Sequence, residues 1–91
     1  MIDSKSDGLE AAIALVAQLG PNPGSIWRHR KGGVYRVVCC AIREADLVPV
    51  VVYRSELPLG EAFDKMRDWH VTWTRPLAEF RDGRFTLVQG S

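Results

Sequence analysis

Two alternating segments separated by Lys31-Gly32-Gly33 constrain this chain more than any other feature. In Ile26-Trp27-Arg28-His29-Arg30 and in Val34-Tyr35-Arg36-Val37-Val38, side chains of different character alternate with period two, the spacing of β-strands. The two glycines between them accept the positive φ that a tight turn demands. This reads as a β-hairpin, with Trp27 and His29 on one face of the first strand and Ile26, Arg28 and Arg30 on the other. The second strand is expected over 34–42. Strict alternation puts Tyr35, Val37, Cys39 and Ala41 on one face and Val34, Arg36, Val38, Cys40 and Ile42 on the other.

The turn Arg43-Glu44-Ala45-Asp46 leads to a third strand over 47–54. Its run Val48-Pro49-Val50-Val51-Val52-Tyr53 is apolar on both faces and so should be covered on both. Pro49 lacks an amide donor and belongs near the strand start or at a bulge. A fourth strand spans 71–74 and meets Arg75-Pro76. Leu77 to Phe80 reads as a 3₁₀ turn or bend. Asp82-Gly83 signals a hairpin turn, and a fifth strand over 84–88 closes the set. About five short antiparallel strands with tight connections suggest a mainly β fold, a small and strongly bent barrel.

Ahead of the strands the period is helical. Residues 1–6 look like a tail. Asp7-Gly8-Leu9-Glu10 fits a capping box with Asp7 as N-cap, and Leu9, Ile13, Val16 and Ala17 follow at helical spacing. Gly20-Pro21 stops the helix, which is expected over 8–19. Its apolar face has to cover an open end of the sheet or meet a second copy of the chain. Between 55 and 70 the pattern supports either a short helix or an ordered loop. Leu59, Ala62, Phe63, Met66 and Trp69 recur at helical spacing, with Glu61, Asp64, Lys65 and Arg67 opposite. The organisation expected is a tail, helix and linker over 1–23 and a β-domain over 24–91.

Ninety-one residues suit one domain near the small end for an unaided core. No stretch approaches the ~20 apolar residues of a membrane span, and the first residues do not read as a secretory signal, so a cytoplasmic location is expected. Adjacent Cys39 and Cys40 point to opposite faces of a strand, and His29 and His70 are isolated, so neither a metal nor a cofactor is expected. The net charge is +1, but acids are absent from Ala11 through Arg43, which carries Arg28, Arg30, Lys31, Arg36 and Arg43. That makes a basic edge, short of the strongly basic domain of a dedicated nucleic-acid binder.

Three motifs stand in order along the chain: Gly24-Ser25-Ile26-Trp27-Arg28-His29-Arg30-Lys31-Gly32-Gly33-Val34-Tyr35-Arg36-Val37, then Val51-Val52-Tyr53, then Trp73-Thr74-Arg75-Pro76-Leu77-Ala78-Glu79-Phe80. Over 24–88 they resemble an uncharacterised bacterial family, number 1653 among the domains of unknown function. Its members read G-x-Y-R-H-Y-K-G-x-x-Y-x-V, V-V-Y and W-x-R-P-x-x-x-F. The resemblance implies a small SH3-like β-barrel and brings no activity with it. Family members usually carry His-Ser-Glu-Thr where this chain has Arg43-Glu44-Ala45-Asp46. The segment between Tyr53 and Trp73 is longer than usual here, and the amino-terminal helix is extra.

Two groups of residues are candidates for chemistry. In Arg28-His29-Arg30-Lys31, the arginine forks suit phosphate or carboxylate, and the neighbouring glycines let an anion approach the backbone. The structural alternative leaves the arginines solvated and His29 bonded to a nearby loop. Trp73 and Arg75, two apart on one strand face, can form a stacking platform with a charged end. The alternative there is a core tryptophan and an arginine that bonds loop carbonyls. Tyr35 and Tyr53 read as core residues with wet hydroxyls, Trp69 and His70 as a contact surface or a plug. Asp64, Asp68 and Glu61 read as a solvated helix face. No nucleophile–base pair or phosphate-loop motif is present, and catalysis is not expected.

The reading is therefore a binding module for a small anionic ligand such as a nucleotide, in the role of a sensor or of a sequestering protein of the kind a phage encodes. Its site is expected to draw on Trp27, Arg28, His29, Lys31, Tyr35, Tyr53, Trp73 and Arg75. The alternatives are a protein-interaction module or homodimer built on the amino-terminal helix and the 55–70 segment, and weak nucleic-acid binding through the basic 26–43 segment. No membrane partner is expected.

Overall fold

The computed structural model describes residues 4–56 and 71–90, with side chains from Asp7 onward. The helix expected within 55–70, with Trp69 and His70, lies outside the described residues. Among the described residues, five strands form one antiparallel sheet in the order β4-β3-β2-β1-β5. They are β1 (Ile26–His29), β2 (Val34–Arg43), β3 (Val48–Ser55), β4 (Thr72–Pro76) and β5 (Phe85–Gln89). Helix α1 (Ser4–Leu19) precedes them, and a single turn of helix, α2 (Leu77–Phe80), joins β4 to β5. The fold is mainly β with an amino-terminal helix, as the alternation indicated.

The β1–β2 hairpin forms at the glycines. The His29 amide donates to the Gly33 carbonyl at 2.7 Å, and the Gly32 amide donates back to the His29 carbonyl at 2.7 Å. Gly32 sits at φ 108°, a conformation that a side chain at this position would oppose. β3 is paired on both sides and buries Val50, Val51, Tyr53 and Ser55.

The sheet curls strongly. Phe85 on β5 and Tyr53 on β3 are separated by two strands, so in a flat sheet they would stand roughly 14 Å apart at ~4.8 Å per strand. Their ring centroids lie 5.6 Å apart. The curl wraps one face around a core of Trp27, Val37, Val51, Tyr53, Leu77, Phe80 and Phe85. β4 and β5 stay at opposite ends of the sheet order and do not pair, so the expected barrel is an open one. α2 supplies Leu77 and Phe80 to its interior.

Three expectations change. First, Val38 is an extra residue in β2. The pairing passes from Val37 opposite Tyr53 to Cys39 opposite Val52, and a bulge absorbs the difference. The faces therefore swap beyond it. Cys40, opposite Val51, packs on the core with Val37, and Val38 is exposed. Burial pushes the Cys40 thiol up from its ordinary value, and the neighbouring Cys39 adds to the rise.

Second, α1 begins at Ser4, so Asp7 lies in its first turn and does not cap it. An acid there still complements the helix dipole. Third, the buried line of α1 runs through Ala12, while Leu9 and Ile13 are 38% and 52% exposed. α1 contacts β2 and β3, and its small residues make that approach possible. A Cβ on Gly8 would sit 3.2 Å from the Leu47 side chain. At the helix end the Gly20 amide bonds the Val16 carbonyl, and the Arg81 Nε donates to the Leu19 carbonyl at 2.7 Å. The Arg81 guanidinium also lies over the Trp27 ring at 5.2 Å, which ties α1 to the core. Among the described residues no helix is long and apolar enough to cross a membrane.

Candidate functional site

Pairing β5 against β1 sets Phe85 opposite His29. The His29 ring meets Phe85 edge-on at 4.9 Å. Tyr35 and Tyr53 complete an aromatic floor, edge to face with one another at 5.2 Å and with Phe85 at 6.1 and 5.6 Å. Tyr35 reaches back over the hairpin, because Gly33 leaves room for it. A Cβ on Gly33 would stand 2.7 Å from the Tyr35 hydroxyl.

Arg75 comes from β4, opposite Val51, and its guanidinium carbon lies 5.8 Å from the Phe85 ring. Its Nε donates to the Tyr53 hydroxyl at 3.3 Å, and one terminal nitrogen donates to Glu79 Oε1 at 3.4 Å. Arg84, at the end of the turn into β5, donates to the same Glu79 oxygen at 3.3 Å and to Asp82 at 2.9 Å. The result is a largely buried aromatic floor, with Tyr53 and Phe85 in the core and Tyr35 half-buried, edged by His29, Arg75 and Arg84, with one carboxylate between the two guanidinium groups.

His29 is held neutral to a lower pH than usual. Partial burial is the main cause, and the positive field of Arg75, Arg30, Lys31 and Arg84 adds to it. Its Nδ1 accepts the Lys31 backbone amide at 3.1 Å, so the neutral ring carries its proton on Nε2. Protonation at Nδ1 would break that bond and add a charge to a cationic surface. The folded chain therefore resists a proton that the unfolded chain accepts near 6.5, the group's ordinary value. More protons bind the unfolded state in that window, so stability falls as pH drops below 6.5 toward the lowered value. Melting of the wild type between about pH 7 and 5 should show this decline, and His29→Asn should flatten it. An unchanged slope in the variant would show that His29 does not titrate in this way.

The eight residues expected to form the site fall into two sets. His29, Tyr35, Tyr53 and Arg75 meet around Phe85. Trp27 is 5% exposed and serves the core. Its ring packs edge-on against Phe80 at 5.1 Å, and its indole N–H donates to Ser25 Oγ at 2.9 Å. Arg28 lies exposed on the opposite face, across from Val34 and Thr86. Lys31 is exposed in the hairpin turn and reaches the cluster through its backbone amide. Trp73 is 46% exposed on edge strand β4, opposite Tyr53.

Of the basic stretch, Arg36 and Arg43 are already committed. Arg36 makes a two-bond ion pair with Glu56 at 2.6 and 2.8 Å, and Arg43 does the same with Asp46 at 2.7 and 2.9 Å. Phe85, Arg84 and Glu79 are cluster members that the sequence reading missed. Asp82-Gly83 does form a turn, with Gly83 at φ 103°, but it joins α2 to β5 and the hairpin expected there is not made. β5 pairs with the distant β1, and that pairing, which leaves no local mark, sets Phe85 beside His29.

The comparisons with known proteins bear on this segment. The family described as proteins of unknown function, DUF1653, matches over residues 25–85, more than half of the chain, which contains every cluster residue and leaves α1 outside. No curated protein and no solved structure matches the chain. On the strength of that match the chain belongs to the DUF1653 family.

Proposed function

We propose that this protein is a non-enzymatic binding module that takes a small anionic ligand, such as a nucleotide, on the His29–Tyr35–Tyr53–Arg75–Phe85 cluster. It would serve as a sensor or as a sequestering protein. The observation that carries the reading is the position of Arg75. Its guanidinium stands beside an aromatic floor, and the bonds that hold it, 3.3 and 3.4 Å, are at the long end for hydrogen bonds. An arginine held this loosely keeps donors to offer an anion. Tyr53 and Phe85 are buried beneath it, so the half-buried rings of His29 and Tyr35 are the ones that offer a face to a base.

A thermal melting screen tests this. A ligand present at ~100 times its dissociation constant adds about 2.7 kcal/mol. For a domain of this size each kcal/mol moves the midpoint by roughly 4–8 °C, so the expected rise is about 10 °C or more. A panel of nucleoside mono-, di- and triphosphates, cyclic nucleotides and dinucleotides should contain at least one such ligand. A flat response across the panel at millimolar concentration would remove the reading.

A further inference from the structure

Glu79 presents one oxygen, Oε1, to both Arg75 and Arg84, at 3.4 and 3.3 Å. Neither contact has the 2.7–2.9 Å length of a well-formed charge-assisted bond. By contrast, the Arg36–Glu56 and Arg43–Asp46 pairs reach 2.6 and 2.7 Å. The Glu79 side chain is 45% exposed and the two arginines 27% and 32%, so the carboxylate stands at the open side of the pair. Two guanidinium groups converging on one loosely held oxygen beside an aromatic floor have the layout of an oxyanion site that the chain fills with its own carboxylate.

We propose that Glu79 stands in for a ligand, and that a phosphate monoester takes its place between Arg75 and Arg84. This rests on the binding reading above and names the chemical group recognised. Charge selects the group. Exchanging the Glu79 carboxylate for another single negative charge brings no electrostatic gain. A phosphate monoester, which approaches two negative charges above about pH 6, brings one more charge and three strong acceptors to the terminal nitrogens of Arg75 and Arg84, while Arg84 Nε keeps its 2.9 Å bond to Asp82. A phosphodiester has a single charge and gains nothing by the exchange. The site therefore prefers a terminal phosphate, as in a nucleoside 5′-monophosphate, to a cyclic phosphate of the same base.

Calorimetric titration with adenosine 5′-monophosphate and with its 3′,5′-cyclic counterpart tests the proposal in the full chain. Glu79→Gln removes the competing charge and keeps the shape, and should bind the monophosphate roughly two- to fivefold tighter than wild type. Glu44→Gln makes the same change of net charge in the exposed turn before β3 and should leave affinity unchanged. The cyclic nucleotide should bind the wild type about tenfold more weakly. Glu79→Ala, with melting checked first, guards against a folding defect particular to one variant. If the wild type binds the monophosphate and both Glu79 variants bind it equally or more weakly, Glu79 does not hold the ligand's place, and the binding reading survives. If Glu44→Gln tightens binding as much as Glu79→Gln, the effect is net charge alone and the stand-in role falls. If neither wild type nor variants bind, both readings fall together.

Discussion

Replacing Phe80 with alanine is expected to remove roughly 3–5 kcal/mol, the usual cost of deleting a fully buried aromatic ring. The ring is 1% exposed. It stacks on Phe85 at 4.3 Å with 13° between planes, and it also touches Trp27 at 5.1 Å and Tyr53 at 5.8 Å. It is the point where β1, β3 and β5 meet inside the curl, delivered by the short helix after Pro76. Deleting it leaves a cavity among Phe85, Trp27 and Tyr53 in the middle of the interior. Domains of this size are stable by about 5–15 kcal/mol in all, so the variant should melt at least ~12 °C lower or be unfolded at 25 °C. Denaturant titration followed by tryptophan fluorescence would measure it. A loss below about 1 kcal/mol would mean that the interior does not depend on this ring.

That prediction could not have been made from the sequence alone, and the reason is physical. Local spacing is visible in a single chain. The alternation around Lys31-Gly32-Gly33 gave the β1–β2 hairpin, and the apolar run at 48–53 gave a strand covered on both faces. What brings Phe80, Phe85 and Trp27 together is curl and pairing between distant segments, and neither leaves a local mark. The same holds for the site. His29 and Arg75 were recognisable as candidates by residue type. Arg84 and Glu79 carry no local signal and become neighbours of the site only through the pairing of β5 with β1.

The Val38 bulge is a second kind of miss. One extra residue reverses every later side chain in the strand, so Cys39 and Cys40 exchanged faces relative to strict alternation. Apolar residues on both sides of the strand hid the shift. Trp27 shows a third kind. An aromatic residue in a motif suits a core as well as a ligand platform, and its 5% exposure places Trp27 in the core. Tyr53, read as a core residue, is one, at 6% exposure. Tyr53 still reaches the site through its hydroxyl, and Trp27 does not.

The second large effect concerns binding. Arg75→Met keeps an unbranched stem to pack near Phe85 and removes the fork of donors. A hydrogen bond to a charged group contributes about 1.5–3 kcal/mol, so the variant should bind a nucleotide roughly 10- to 100-fold more weakly. Stability should change far less, because the bonds Arg75 makes within the chain are long and partly exposed.

The most direct test of binding at this cluster is an NMR titration of nucleoside 5′-monophosphates into the ¹⁵N-labelled chain and into its Arg75→Met variant. Saturable shifts should centre on His29, Lys31, Tyr35, Tyr53, Arg75 and Phe85, and in the variant should need roughly 10- to 100-fold more ligand to reach the same size. Shifts that saturate at the same concentrations in the variant, or that gather on the exposed apolar residues of α1, would contradict an anion site at this cluster.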